Sequence, residues 1–236
     1  LRALNHLVNH WMFWGNYSLI FEGRNQAVIK RFSFFNEEGG INIDSLKSTI
    51  EATSGNKFAL ILNFPNNPTG YSPSVSESKA LVELLKGFAE KGKKILIITD
   101  DAYFGLFYEE ETLKESLFGI IADLHENILA VKVDGVTKEN FAWGFRLGFL
   151  TFASKGLNEE HLDALTKKTM GAIRASISNS SKMSQTLVLK SLPSKNYWEE
   201  KEKGFVILKK RYEKVKEVIA SFDGDSPLKA LPFNSG

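Results

Sequence analysis

The chain has 236 residues, long for one ordinary domain and short for two, and its 43% apolar and 25% charged residues provide ample material for a buried core. Its 30 lysines and arginines nearly balance 28 acids, so the net charge of +2 supplies no broad electropositive field of the kind nucleic-acid binding requires. The absence of cysteine excludes disulfides, thiolate metal sites and a cysteine nucleophile, and the longest apolar runs are too short to cross a bilayer as helices.

In chain order, the opening LRALNHLVNH lacks the zones of a signal peptide, and the first residue is Leu1 rather than Met. His6 and His10 stand four apart, but no third ligand is evident and a surface role is expected for both. Trp11, Phe13 and the WGNY of 14–17 form an aromatic cluster that by itself predicts only core packing. Four runs then read as strands: FALILN at 58–63, KILIIT at 94–99, ILAVKV at 128–133 and LGFLTF at 147–152. Near-continuous apolar runs of that length suit strands buried on both faces. Between the first two, residues 76–91 place Leu81, Leu84, Leu85 and Phe88 at helical spacing. Strand, helix and strand in this rhythm predict parallel pairing with right-handed crossovers, hence an α/β fold with a mostly parallel sheet sandwiched by helices. From 158 to 192 the pattern is helical, with a break around 176–181. Pro193 follows, and 198–222 repeat Phe205, Leu208, Tyr212, Val215 and Ile219 at steps of three and four, a long amphipathic helix. The best domain boundary is 193–196.

Three segments carry unusual chemistry. NFPNNPTGYSP at 63–73 is rich in turn formers, yet it follows a predicted strand, and ligands of open α/β sheets bind beyond the carboxyl ends of strands. TDDAYFG at 99–105 follows the second strand, where Asp100 or Asp101 could also be no more than a helix cap. DGVTKENFAWGFRLGF at 134–149 follows the third. Its Lys138 is flanked by Val136 and Thr137 and by Phe141, Ala142 and Trp143, unlike an ordinary solvated lysine, and Arg146 lies eight residues further on.

Asn67, Asp100, Tyr103, Lys138 and Arg146, in that order and at those spacings, resemble pyridoxal-phosphate-dependent enzymes of the aspartate aminotransferase fold, the class I/II aminotransferases of fold type I. The resemblance covers Trp14 to at least Asn179. It implies pyridoxal 5'-phosphate as cofactor, an amino acid and a 2-oxo acid as substrates, and a cytoplasmic homodimer with no nucleic-acid or membrane partner. It also implies roles. Lys138 would be the Schiff-base lysine and proton shuttle, and Asp100 would face the pyridine nitrogen, with Asp101 its adjacent competitor. Tyr103 and Asn67 would bond the phenolic oxygen, Arg146 would pair with the phosphate, and Trp14 would stack on the ring. AIRASISN at 172–179 resembles a segment whose arginine reaches across the dimer to the distal carboxylate of dicarboxylic substrates. That implies the same for Arg174 and aspartate- or glutamate-like substrates, although aromatic-accepting relatives share the segment.

The sequence also departs from the family pattern. Gly135 stands where relatives commonly have a phosphate-binding serine, Tyr17 where aspartate aminotransferases have a histidine behind the acid, and Ser180 and Ser181 where a proline pair follows SN. The family's phosphate loop and the arginine for the substrate's α-carboxylate are not matched, and LPFNSG at 231–236 resembles the approach to the latter. The expectation is therefore an internal fragment, 1–193 from a large cofactor domain and 194–236 from the start of a small α/β domain, with little activity alone. Other reactions of the same cofactor, β-decarboxylation or carbon–sulfur cleavage, and a sensory domain of a transcription regulator are the alternatives.

Overall fold

In the computed structural model, which describes residues 6–222 and 226–236, the four apolar runs are strands β3 (Lys57–Asn63), β4 (Lys94–Asp100), β5 (Ile128–Gly135) and β6 (Gly148–Ala153). Two strands that the patterning did not reveal precede them, β1 (His6–His10) and β2 (Val28–Phe32). All six form one sheet in the order β2-β1-β3-β4-β5-β6, with β1 to β5 parallel and β6 antiparallel to β5. The chain runs outward from β1 to β2 on one side and from β3 to β5 on the other. Such a reversal leaves a crevice at the carboxyl ends of the strands around it.

Local signals set the helices. Asn42 caps α1 (Ile43–Glu51) by accepting the Ser45 N–H, and Ser74 with Glu77 forms a capping box that starts α2 (Val75–Glu90). The short α3 (Leu117–Ile121) and the one-turn α4 (Val136–Glu139) follow, then α5 (Glu159–Ser176), α6 (Lys182–Ser191) and α7 (Tyr197–Ala220). On one side of the sheet Val8, Leu60, Ile95, Ile97 and Ala130 pack against Leu46 and Ile50 of α1, Leu81 and Leu85 of α2 and Ile121 of α3. On the other, Leu7, Ile29, Ala59 and Ile61 pack with Tyr17, Phe13 and Phe21. Among the described residues no helix is long and apolar enough to cross a membrane.

Two expectations need correction. β6 is not buried on both faces: among the described residues it is an edge strand paired only with β5, and Phe149 and Leu150 are half exposed. A continuous apolar run cannot distinguish an inner strand from an uncovered edge. His10 is not on the surface either. It is buried, its ring is stacked 4.0 Å from that of Phe34, and its Nε2 lies 3.3 Å from Asn66 Nδ2. Burial pulls its pKa down to about 3, which keeps the imidazole neutral. His6 is partly buried beside Ser54 Oγ, at 2.9 Å.

Candidate active site

Successive strands deliver their functional groups at the same end of the sheet. β4 ends in Asp100, and because side chains alternate along a strand the two neighbouring acids diverge. Asp101 is buried, accepts a 2.6 Å bond from Ser116 Oγ and lies 3.6 Å from Lys132 Nζ. Burial pushes its pKa up to about 6, against the opposing pull of Ser116 and Lys132. Lys132 itself is lowered by burial but held above its ordinary value overall, because Asp134, 2.6 Å away, and Asp101 favour its charge. Asp101 is thus occupied within the protein. Asp100 instead lines a cavity of about 220 Å³ together with Gly135, Thr137, Lys138 and Arg146.

Both oxygens of Asp100 are held. Oδ1 accepts the Ala102 N–H at 3.1 Å, and Oδ2 accepts the hydroxyl of Tyr17. Tyr17 comes from the segment after β1. Its own burial, then the Asp100 charge and their hydrogen bond, raise its pKa far above the usual phenol range, so it remains a donor. Trp14 packs edge-on against Tyr17 at 5.7 Å. From β3, Asn63 Nδ2 donates to the Asp100 carbonyl and Asn63 Oδ1 accepts the Asn67 N–H, both at 2.9 Å. The loop bearing Asn67 is thereby tied to the end of β4.

Lys138 sits on α4, directly after β5, with Nζ 4.7 Å from the centre of the Tyr103 ring. Burial and the nearby Asp100 raise the Tyr103 pKa, keeping that phenol protonated. Arg146 reaches the cavity from a left-handed position (φ 52°) that closes a short 3-10 turn, Trp143–Phe145, before β6. The glycine departure has a packing reason. Gly135 is paired with Gly148 across β5 and β6, and a Cβ on it would lie 3.3 Å from the Leu147 carbonyl oxygen. On Gly148 a Cβ would lie 3.0 Å from the Asp134 oxygen, so the pair allows a close antiparallel approach beneath Lys138 and Arg146.

Of the residues singled out by sequence, Asp100, Lys138 and Arg146 share one cavity wall, and Tyr103 stands against Lys138. Trp14 and Asn67 connect to Asp100 through Tyr17 and Asn63. Arg174 does not line the cavity. It is exposed on α5, where it donates to Ser178 Oγ at 2.6 Å. Sequence reasoning treated Tyr17 only as a departure and Asn63 only as a strand end. The position of Tyr17 where aspartate aminotransferases have a histidine behind the acid was the signal for its contact with Asp100.

The family described as Aminotransferase class I and II matches residues 8–220. The chain is 29% identical over 107 residues to a probable N-acetyl-LL-diaminopimelate aminotransferase of Bacillus subtilis, covering 45% of this chain and 24% of that protein. It is 30% identical over 138 residues to an aspartate aminotransferase of Thermococcus kodakarensis, covering 58% and 31%. The crystal structure of an aminotransferase from Anaerococcus prevotii superimposes with a TM-score of 0.84 at 26% identity, over 99% of this chain and 57% of that one. A Thermus thermophilus aspartate aminotransferase variant shares the fold with a TM-score of 0.73 at 20% identity, over 99% and 57%. The matched segments thus span 24% and 31% of these curated relatives and 57% of these solved chains. Because the family match runs from β1 to the end of α7, across every strand that contributes to the cavity, this chain belongs to the class I and II aminotransferase family.

Proposed function

We propose that the chain is the cofactor-bearing part of an aminotransferase that uses pyridoxal phosphate to move an amino group between an amino acid and a 2-oxo acid. The observation that carries this reading is the meeting of Asp100, Lys138 and Arg146 on one cavity at the carboxyl edge of the parallel strands. A carboxylate, a primary amine and a guanidinium are the donor set that suits a ring nitrogen, an aldehyde carbon and a phosphate, so the residues fit the cofactor.

When bound, pyridoxal phosphate supplies an electron sink for the charge left at the substrate's Cα. The Lys138 amine would take the proton from Cα and deliver it to the former aldehyde carbon of the cofactor, as base and then acid. Asp100, held by Tyr17 and the Ala102 N–H, keeps a proton on the ring nitrogen. Arg146 offers a fork of donors to the phosphate. Tyr103, kept protonated, and Asn67 would both donate to the ring's phenolic oxygen, and Trp14 would give an aromatic face for the ring. Residues 1–193 form the large cofactor domain in this reading, and 194–236 open the small one. A homodimer places Arg174 of one subunit at the distal carboxylate of the other subunit's substrate. Exposed apolar neighbours, Ile173 on α5 and Ile177 just after it, suit a subunit contact at that place.

Borohydride reduction of the full-length protein with pyridoxal phosphate should label Lys138, as read by peptide mass mapping. Lys138→Ala should remain unlabelled and lose amino transfer by about a thousandfold or more. Retained labelling or transfer in that variant overturns the assignment. Arg174→Ala should reduce turnover of aspartate about a hundredfold while sparing an aromatic amino acid, and equal losses on both would reject a dicarboxylate role.

A further inference from the structure

The segment 231–236 returns to the loops of the candidate site. The Asn234 side chain accepts the Ser72 N–H and donates to the Ser72 carbonyl, both at 2.8 Å, across 162 positions of sequence. The backbone N–H groups of Asn234 and Ser235 both donate to the Gly70 carbonyl, at 3.1 and 2.9 Å. Ser235 is buried and forms an isolated antiparallel bridge with Phe107, and the Gly236 N–H donates to the Leu106 carbonyl at 3.0 Å. Outside this strap, Phe233 packs edge-on against Tyr212 of α7 at 5.6 Å, with Lys216 Nζ 4.7 Å from its ring centre.

Three consecutive residues therefore bond the parts nearest the cavity of two loops that leave different strands and that meet directly farther along, where the Leu113 N–H donates to the Pro73 carbonyl at 2.8 Å. The first runs from β3 and carries Asn67. The second begins just after Asp100 at the end of β4 and carries Tyr103. Gly70 has a positive φ of 71°, and a Cβ there would lie 3.1 Å from the Ser235 carbonyl oxygen, so the approach of the strap also needs a glycine at that turn. An amide carries an acceptor oxygen and a donor nitrogen side by side, so it can pair with the N–H and the C=O of one residue through separate atoms, as a neighbouring strand would.

We propose that Asn234 is a positioning residue, and that the strap of residues 234–236 holds the Asn67 loop and the Tyr103 loop in register around the cofactor cavity. The role at the cavity rests on the proposed function, while the mechanical link between the loops does not. The strap fixes the loop backbones, and through them the phenol and the amide that would face the ring. α7 touches the second loop directly, through Tyr212 and Lys216 against Glu109, and the strap adds a link from α7, by way of Phe233, to the first loop.

The test is hydrogen exchange by mass spectrometry on Asn234→Ala and Asn234→Asp, with Ile50→Val as a core control away from the strap. Asn234→Ala removes two hydrogen bonds and should speed exchange at Ser72 about thirtyfold. Exchange should rise together in 69–73 and 103–108, and pyridoxal phosphate should dissociate about tenfold faster from the variant holoenzyme. Asn234→Asp keeps the acceptor for the Ser72 N–H and should show the same changes in weaker form, which serves if the alanine variant does not fold. Ile50→Val should lower the melting temperature without a selective change in either loop. Faster exchange confined to 69–73, or unchanged cofactor release, would overturn the positioning role. If the unmodified protein takes up no pyridoxal phosphate, the proposed function fails, and joint loosening of the two loops still decides whether the strap couples them.

Discussion

The sheet half of the molecule, β1 to β5 with α1 to α3, and the helical half, α5 to α7, use the same apolar residue types with opposite outcomes. Leu7, Val8, Leu60 and Ile97 are at most 1% exposed. In contrast α5 and α7 contain no buried residue, and α6 contains only Val188. The helices of both halves are amphipathic in sequence, and the difference lies in what covers each apolar face. Two layers of helix and loop close on the parallel strands, whereas one face of each later helix is left open among the described residues. The candidate site follows this division. Asp100, Tyr103 and Asn67 extend from the packed half, where strand positions are fixed by burial on both faces. Lys138 and Arg146 lie at the seam. There α7 approaches α4 through a 3.1 Å ion pair between Lys201 and Glu139 and a bond between Tyr197 and Asn140.

The contrast can be broken most directly in the sheet. Leu60→Ala removes a side chain with no exposure at the centre of the core, and denaturant unfolding should show a loss of about 2–5 kcal/mol. A loss below about 1 kcal/mol would mean that the sheet half is no better packed than the helices.

A pH measurement sharpens the same contrast. His10 has its pKa drawn down to about 3 from 6.5 by burial. As pH falls below about 6.5 the unfolded chain takes up a proton that the native protein refuses until about 3, so stability is full above that window and declines through it. His10→Gln should flatten the decline by about 1.4 kcal/mol per pH unit between about pH 6 and pH 4. An unchanged slope would place the acid sensitivity elsewhere.

The smallest effect is expected in α6. Leu189 is 71% exposed, and Leu189→Ser should alter monomer stability by no more than about 0.5 kcal/mol. A loss comparable to that of Leu60→Ala would show that this face is covered in solution.

Much of the architecture was legible because it rests on local signals. The apolar runs of β3, β4 and β5 and the helical spacing of α2 are strong patterns, and Ser74 with Glu77 marks a helix start. β1 and β2 escaped notice because HLVNH and VIKRF are short and mixed in polarity, and become strands only through pairing with each other and with β3. Asp100, Lys138 and Arg146 could be named because their order and spacing resemble the aspartate aminotransferase fold, whereas patterning alone implies no more than an α/β ligand-binding domain.

The sequence by itself therefore determined the mostly parallel α/β pattern, the residue types available for chemistry and the strand ends at which they stand. Tertiary structure decided which of two adjacent acids opens on the cavity and which is engaged by Ser116 and Lys132. It also decided that Tyr17 holds Asp100, that His10 lies inside, and that Asn234 returns to Ser72. The physical reason is the range of the interactions. Periodicity, capping and turn chemistry act within a few residues and can be read along the chain. Burial and contacts between distant segments exist only once the sheet has brought those segments together.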